Sequence, residues 1–457
     1  MRRIAEETVI LISVLKWFFI ASCVGLIVGL FTFAFLKSLE WGIEFASGAY
    51  SYYYFSLPLG LMVSALIIKY LAPNAEGHGT EKVIEAVHKR YGRIDPMVVP
   101  VKLVATIVTF MAGGSVGNEG PCAQVGAGVT SILADIFRFN DVDRKKLVIC
   151  GISAGVTAVF GTPLAGSIFA VEVLFVGAIM YEVLLPSFVA GMVSYQVITT
   201  LGITFPYISM DVISSVQSNP LFLEAALGGV FFGLCSLLFI EVLIYGEYLI
   251  KRYNINRVAR AIIGGIALIS LVLIFSTDYL GLGEHMILAS LRGEPVVLYA
   301  FLLKMLLTII TLICGGSGGI ITPLFFIGAT AGSTFATIFG LNRPVFAAIG
   351  LVSLLAGAAN TPMAATIMAV EILGPHMAPY AAIAAVISFI ITGHRSVYPS
   401  QVVRFTKSSL LDVKMGEEVE NVTPELCCRQ KKNTLADIVV GYALRVKDLF
   451  GKHNPQG

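Results

Sequence analysis

The stretch GGSVGNEGP, residues 113–121, sets one carboxylate, Glu119, among four glycines just before a proline. A carboxylate can take and release a proton, and it can also compete with a small anion for the same hydrogen-bond donors. Proline is favoured at a helix start, so the stretch reads as a tight loop feeding a helix whose first N–H groups are unpartnered and attract negative charge. The same build recurs in GGSGGIITP, residues 315–323, where Gly318 and Gly319 let backbone pass closely and Ile320 and Ile321 precede Pro323. A third break, GHGT at 77–80, carries His78 and Gly79, with Thr80 expected to cap the helix that follows. Three helix starts holding an anion by divided partial charges, with Glu119 as a tethered substitute for it, amount to the chemistry of ion transport.

Other chemistries lack their parts. A metallohydrolase needs a set such as H-E-x-x-H, and the nearest string, GEHM at 283, has no second histidine. The seven cysteines show neither metal spacing nor a disulfide framework and read as small core residues. No metal, no cofactor and no nucleic-acid partner are expected, and the chain is not expected to be an enzyme. A cation/proton exchanger, a more distant alternative, would cluster carboxylates within the membrane, whereas helix N-termini repel cations.

Those breaks must be positioned by membrane helices. Of 457 residues 56% are hydrophobic and 13% charged, too little polar surface for a soluble body of this size. Apolar runs at 9–36, 53–71, 97–112, 147–179, 184–204, 221–250, 261–280, 296–314, 320–357 and 378–392 reach or approach the ~20 residues that span a hydrocarbon core. Several are short or broken by Gly and Pro, which suggests discontinuous and re-entrant helices lining a cavity. The first run is too long for a signal-peptide core and reads as a retained span. Arg2, Arg3, Lys89, Arg90, Arg93, Arg138, Arg144, Lys145 and Lys146 mark cytoplasmic loops by the positive-inside rule, with both termini cytoplasmic and the Glu119 loop nearer the outside.

The chain also repeats itself. KLVATIVTFMAGGS (102–115) matches KMLLTIITLICGGS (304–317) at an offset of 202, and TPLAGSIFAVEVL (162–174) matches TPMAATIMAVEIL (361–373) at 199. GHGTEKVI (77–84) weakly matches GLGEHMIL (281–288). Two homologous halves, 1–204 and 205–400, followed by a short polar tail, 401–457, are therefore expected, with the transport site where the halves meet. The pattern leaves open whether the halves are parallel or inverted. Glu172 and Glu371 are repeat mates, which favours a structural role for both. In the tail, 435–450 reads as an amphipathic stretch.

These residues resemble the CLC family of chloride channels and chloride/proton antiporters from about residue 10 to 400. GNEGP is similar to the family's G-[KR]-E-G-P; it is followed by TPLAGSIFAVE, by GGIITP, similar to G-x-F-x-P, and by Tyr398 in GHRSVYPS. The resemblance implies an all-α polytopic membrane fold of two inverted repeats, and a homodimer with one pore per subunit in the cell membrane. It implies transport of chloride or, in a fluoride-specific relative, fluoride, with or without proton exchange. Glu119 would be the gate and proton carrier. His78, Gly79, Asn118, Gly120, Gly319, Ile320, Ile321 and Tyr398 would line the anion site, Tyr398 as a phenol donor and Ile320 and Ile321 through backbone N–H groups. Four positions depart from the family's pattern. His78 stands for a serine in a motif that here also lacks its proline, Asn118 for a basic residue, Ile321 for a phenylalanine, and Val173 for the glutamate that serves proton-coupled members as inner proton acceptor. His78 is then a candidate relay.

Overall fold

The computed structural model describes residues 2–49, 52–205 and 221–426. Among them are sixteen α-helices in two sets of eight. The first set is α1 (Arg2–Ala49), α2 (Leu57–Leu71), α3 (Thr80–Lys89), α4 (Val98–Met111), α5 (Glu119–Ile136), α6 (Asp141–Phe160), α7 (Pro163–Glu172) and α8 (Tyr181–Thr200). The second is α9 (Leu221–Tyr253), α10 (Arg257–Ile274), α11 (Glu284–Leu291), α12 (Ala300–Ile313), α13 (Ile321–Phe339), α14 (Arg343–Ala359), α15 (Pro362–Leu373) and α16 (Ala378–Ile391). The repeat extends to local signals: Asn140 and Asn342 cap α6 and α14, accepting from the N–H groups of Asp143 at 2.8 Å and Val345 at 3.3 Å.

Two short helices settle the relation between the halves. The Glu172 carboxylate, at the end of α7, accepts the N–H groups of Met363 (3.0 Å) and Ala364 (2.7 Å) at the start of α15. In return Glu371, near the end of α15, accepts those of Leu164 (2.9 Å) and Ala165 (2.8 Å) at the start of α7. Reciprocal contacts of this kind define a two-fold axis, and here the mates run antiparallel, so the halves are inverted. Both carboxylates are thus helix caps, as their repetition suggested. At 10 and 12 residues, α7 and α15 are about 15–18 Å long, half a hydrocarbon core, and meet as the discontinuous elements expected from the broken apolar runs.

Helices α5 and α13 are sheathed by the rest. Their partners α6 and α14 approach through glycines: a side chain on Gly126 would overlap the Gly151 carbonyl, and one on Gly328 that of Gly350, the same contact in each half. Around this core α1, α9 and α10 turn leucine, isoleucine and phenylalanine outward, as lipid-facing helices do. Among the described residues six helical segments are long and apolar enough to cross a membrane: Glu6–Gly48, Tyr53–Leu71, Tyr181–Thr200, Leu221–Tyr253, Arg257–Ile274 and Ile321–Phe339.

Beyond α16 the described residues, to 426, stay on the body. Strand β1 (Phe175–Val176) pairs in parallel with β2 (Val402–Val403), and β3 (Leu411–Asp412) in antiparallel with β4 (Glu425–Leu426). Val176, Phe389, Val403, Val413 and Val419 form a small apolar cluster beneath them. The amphipathic stretch at 435–450 lies outside the described residues.

Candidate anion site

The loops that precede α5 and α13 meet at the two-fold axis. Gly117 and Gly319 exchange backbone hydrogen bonds, N–H to carbonyl, at 2.8 and 2.6 Å. Hydroxyls from α4 and α12 lock each loop to the opposite half. The Ser317 N–H donates to Thr109 Oγ1 (3.0 Å) and that of Ser115 to Thr311 Oγ1 (3.2 Å), while Thr106 pairs with Ser317 (3.1 Å) and Thr308 with Ser115 (3.2 Å). Each pair of bonds is the other displaced by 202 residues. In an apolar interior such hydroxyls must find partners, so they fix the loops rather than decorate them.

The third break is held from behind. Lys102, fully buried on α4, donates from Nζ to the carbonyls of Gly77 (2.6 Å) and Ala75 (3.2 Å). Its mate Lys304 does the same for Gly281 (2.7 Å) and Tyr279 (3.1 Å). Gly79 then turns the chain into α3 with φ +77°, a left-handed conformation that favours glycine. It is Gly79, not Thr80, that occupies the N-cap; Thr80 is the first helical residue and is buried. The expected Thr80 cap fails because the positive φ needed at the cap admits glycine far more readily than threonine.

On these supports the three breaks converge. A side chain on Gly79 would overlap the Gly120 carbonyl; one on Gly120 would overlap that of His78 and come within 2.9 Å of Gly319 Cα; one on Gly319 would overlap the Glu119 carboxylate. Glu119 itself is fully buried. It opens α5 but reaches across the axis to the start of α13, where Oε1 accepts the Ile321 N–H at 2.5 Å and Oε2 the Thr322 hydroxyl at 2.7 Å. The carboxylate thus sits where a free anion would be held by the end of a helix. Both helices begin two residues earlier than their prolines suggest: Pro121 and Pro323 are third, not first, in α5 and α13.

The remaining expected residues fall around this point. Asn118 and Ile320 are the N-caps of α5 and α13; both are buried, and the Asn118 side chain makes no capping bond. The His78 ring lies 6.1 Å from that of Tyr398, centroid to centroid, with its Nδ1 buried and unpartnered. Tyr398 is buried in the loop after α16, its N–H donating to Ser396 Oγ at 2.9 Å. The structure therefore gathers His78, Gly79, Asn118, Glu119, Gly120, Gly319, Ile320, Ile321 and Tyr398 into one region. Thr322 is not among the residues expected from the sequence, although a threonine directly before the proline of an expected helix start is itself a donor signal. Lys102 and Lys304 also went unassigned, although their identity at the 202-residue offset was visible.

Comparison with known proteins bears on the same region. The profile of a family described as voltage gated chloride channel matches residues 59–393. A chloride/fluoride channel protein of Pseudomonas syringae pv. tomato is 33% identical over 409 residues, covering 88% of this chain and 90% of that protein. The H(+)/Cl(-) exchange transporter ClcA of Citrobacter koseri is 26% identical over 391 residues, covering 77% of this chain and 80% of that protein. Among solved structures, a CLC-type fluoride/proton antiporter superposes with a TM-score of 0.80 at 29% identity, over 85% of this chain and 98% of that one. A slow cyanobacterial Cl-/H+ antiporter reaches 0.71 at 20% identity, over 82% and 94%, a likeness of fold.

Proposed function

This chain belongs to the voltage gated chloride channel family and transports small inorganic anions across a membrane, and from that premise we propose that Glu119 is both its gate and its proton carrier. The observation that carries the proposal is the seat of the Glu119 carboxylate on the Ile321 N–H and the Thr322 hydroxyl. While ionised, Glu119 fills the anion's place; once protonated it is a weaker acceptor and yields to the halide. Ile321 and Thr322 then serve the anion, and His78, Gly79, Asn118, Gly120, Gly319, Ile320 and Tyr398 line its seat. Because the protonation of Glu119 and the halide's access to the seat depend on one another, their movements are coupled, and the reading is halide/proton exchange.

Of the two halides, fluoride has the stronger support. The donors are a hydroxyl and a backbone N–H in a fully buried seat, which suits a small, strongly hydrogen-bonding anion, and the relatives at 33% and 29% identity both carry fluoride in their names. Chloride remains the second reading, supported by the exchange transporter at 26%. The division into halves 1–204 and 205–400 with a tail 401–457, a homodimer with one site per subunit, a cell-membrane location and cytoplasmic termini belong to the same proposal. Proteoliposomes loaded with potassium fluoride or potassium chloride test it. Fluoride efflux that carries protons inward, and is uncoupled from protons in Glu119→Gln, is the expected result. Faster chloride than fluoride efflux would reverse the ion preference, and pH-independent efflux from the native protein would exclude exchange.

A further inference from the structure

If Glu119 delivers protons, a second group must receive them on the way to the opposite face, and the position to which the family resemblance assigns that task is Val173. Valine offers no acceptor. A carboxylate from another helix comes to the same neighbourhood. Glu81, the second residue of α3, accepts through Oε1 the Ser400 N–H at 3.1 Å and also the Ser400 hydroxyl. The next residue, Gln401, donates from Nε2 to the Val173 carbonyl at 2.7 Å and that of Ala359 at 2.8 Å. Glu81 is thus tied to the loop that covers Val173, two residues beyond Tyr398.

The second oxygen of that carboxylate is free. Glu81 Oε2 is buried and has no hydrogen-bond partner, a poor arrangement for a carboxylate whose only task is to clamp a loop and a suitable one for a proton acceptor. Tyr398 lies within electrostatic range of both Glu119 and Glu81. Thr80, the residue before Glu81, hydrogen-bonds the Tyr398 side chain, and the His78 ring, 6.1 Å from that of Tyr398, has its Nδ1 buried without a partner. One turn further along α3 stands Glu85, partly exposed and paired with Lys82 at 2.8 Å, and α3 ends at Lys89, which pairs with Glu418 of the tail at 2.9 Å and is half-exposed. Residues i and i+4 share a helix face. Two acidic groups, the half-buried Glu81 and Glu85, therefore share a face of α3 that ends at the half-exposed Lys89, with Lys82, Glu85 and Ser400 the charged or donor groups around Glu81.

We propose that Glu81 is the inner proton acceptor of this transporter, receiving the proton that Glu119 releases and passing it toward Glu85 and the Lys89 face. In the transfer an O–H bond on Glu119 breaks and one forms on Glu81 Oε2, which leaves Glu119 as the carboxylate that rests on Ile321 and Thr322. The proposal rests on the halide/proton exchange reading given above, and the test separates the two.

The test uses the full chain in proteoliposomes, with halide and pH electrodes read together under a fluoride gradient and again under a chloride gradient. Glu81→Gln keeps the shape and the acceptor for the Ser400 N–H but cannot carry a proton at neutral pH. Its expected signature is halide efflux within about threefold of the native rate and halide-driven proton movement reduced by at least about tenfold, with partial recovery in Glu81→Asp. Native proton movement in Glu81→Gln overturns the relay and leaves the exchange reading intact. Equal loss of halide and proton flux makes Glu81 a loop clamp and also overturns it. A native protein that moves no protons under either gradient sinks the exchange reading, and this inference with it.

Discussion

Replacing Glu119 by Gln removes the charge while keeping the side chain's length and one carbonyl oxygen, so the variant still accepts the Ile321 N–H and folds as before. What changes is how firmly the side chain holds the anion's place. The native carboxylate receives two hydrogen bonds, at 2.5 and 2.7 Å, in a fully buried site. Bonds to a charged acceptor contribute about 1.5–3 kcal/mol each and neutral ones about 0.5–1.5, so neutralisation weakens the tether by about 2–3 kcal/mol in all. If the halide takes the carboxylate's seat, as proposed, it must displace the side chain before it binds, and apparent affinity should rise by that amount, about 30- to 150-fold. Calorimetric titration of fluoride into the purified protein at neutral pH measures it directly. Lowering the pH should bring the native protein toward the variant's affinity, whereas the variant itself should be flat with pH. Equal affinities at neutral pH, or the same pH dependence in both proteins, would refute the idea that the carboxylate and the halide share one seat.

Three further expectations follow from the same geometry. Gly319→Ala places a methyl on the Glu119 carboxylate and 2.6 Å from the Gly120 nitrogen, backbone that cannot give way. Overpacking of this kind destabilises by about 1–3 kcal/mol, so flux should be lost and the melting temperature in detergent lowered. Glu172→Gln and Glu371→Gln each strip the charge from a cap on two N–H groups, and because the caps are mates, each should cost about 1–2 kcal/mol by denaturant titration while leaving the fluoride-to-chloride flux ratio unchanged. Asn118→Lys adds a cation at the cap of α5, next to Glu119, and should raise halide flux at low ionic strength, with the gain disappearing as salt screens it.

The sequence made the repeat, the membrane helices and the importance of Glu119 legible because each is a one-dimensional signal: a fixed offset, long apolar runs, and a charge where charge is expensive. The inverted relation of the halves was not legible, since Glu172 and Glu371 read as equivalent positions whichever way their helices run. Nor was the target of Glu119. Nothing local says that a residue opening α5 bonds the start of α13 rather than its own helix; that depends on the Gly117–Gly319 exchange, which joins segments about 200 residues apart. Proline placed the helix starts two residues late because the first turn of each helix is built from the glycine-rich loop, where propensity argues against helix and the opposite half imposes it. Lys102 and Lys304 are cations within apolar runs; their role as anchors for the loops at 75–77 and 279–281 appears only when those loops fold back on them.

A two-fold scaffold poses a problem that the chain solves at one residue pair. Most locks around the axis are duplicated, from the hydroxyls of Thr106 and Thr308 to the lysines and the carboxylate caps, yet the mate of Glu119 at the 202-residue offset is Ile321. A carboxylate at both positions would set two negative charges across the axis, each capping the other's helix as Glu172 and Glu371 do, and would leave no free donor for an ion. With isoleucine there, the first half supplies an acid and the second half supplies the N–H and, one residue on, the hydroxyl that hold it. On the proposed reading, symmetry builds the seat and its loss makes the seat exchangeable. On this argument Ile321→Glu should abolish halide binding by calorimetry, and pairing it with Glu119→Ile should restore a seat of opposite hand, with the acid on α13 bonding the start of α5. Halide binding that survives Ile321→Glu unchanged would show that the ion does not use the start of α13.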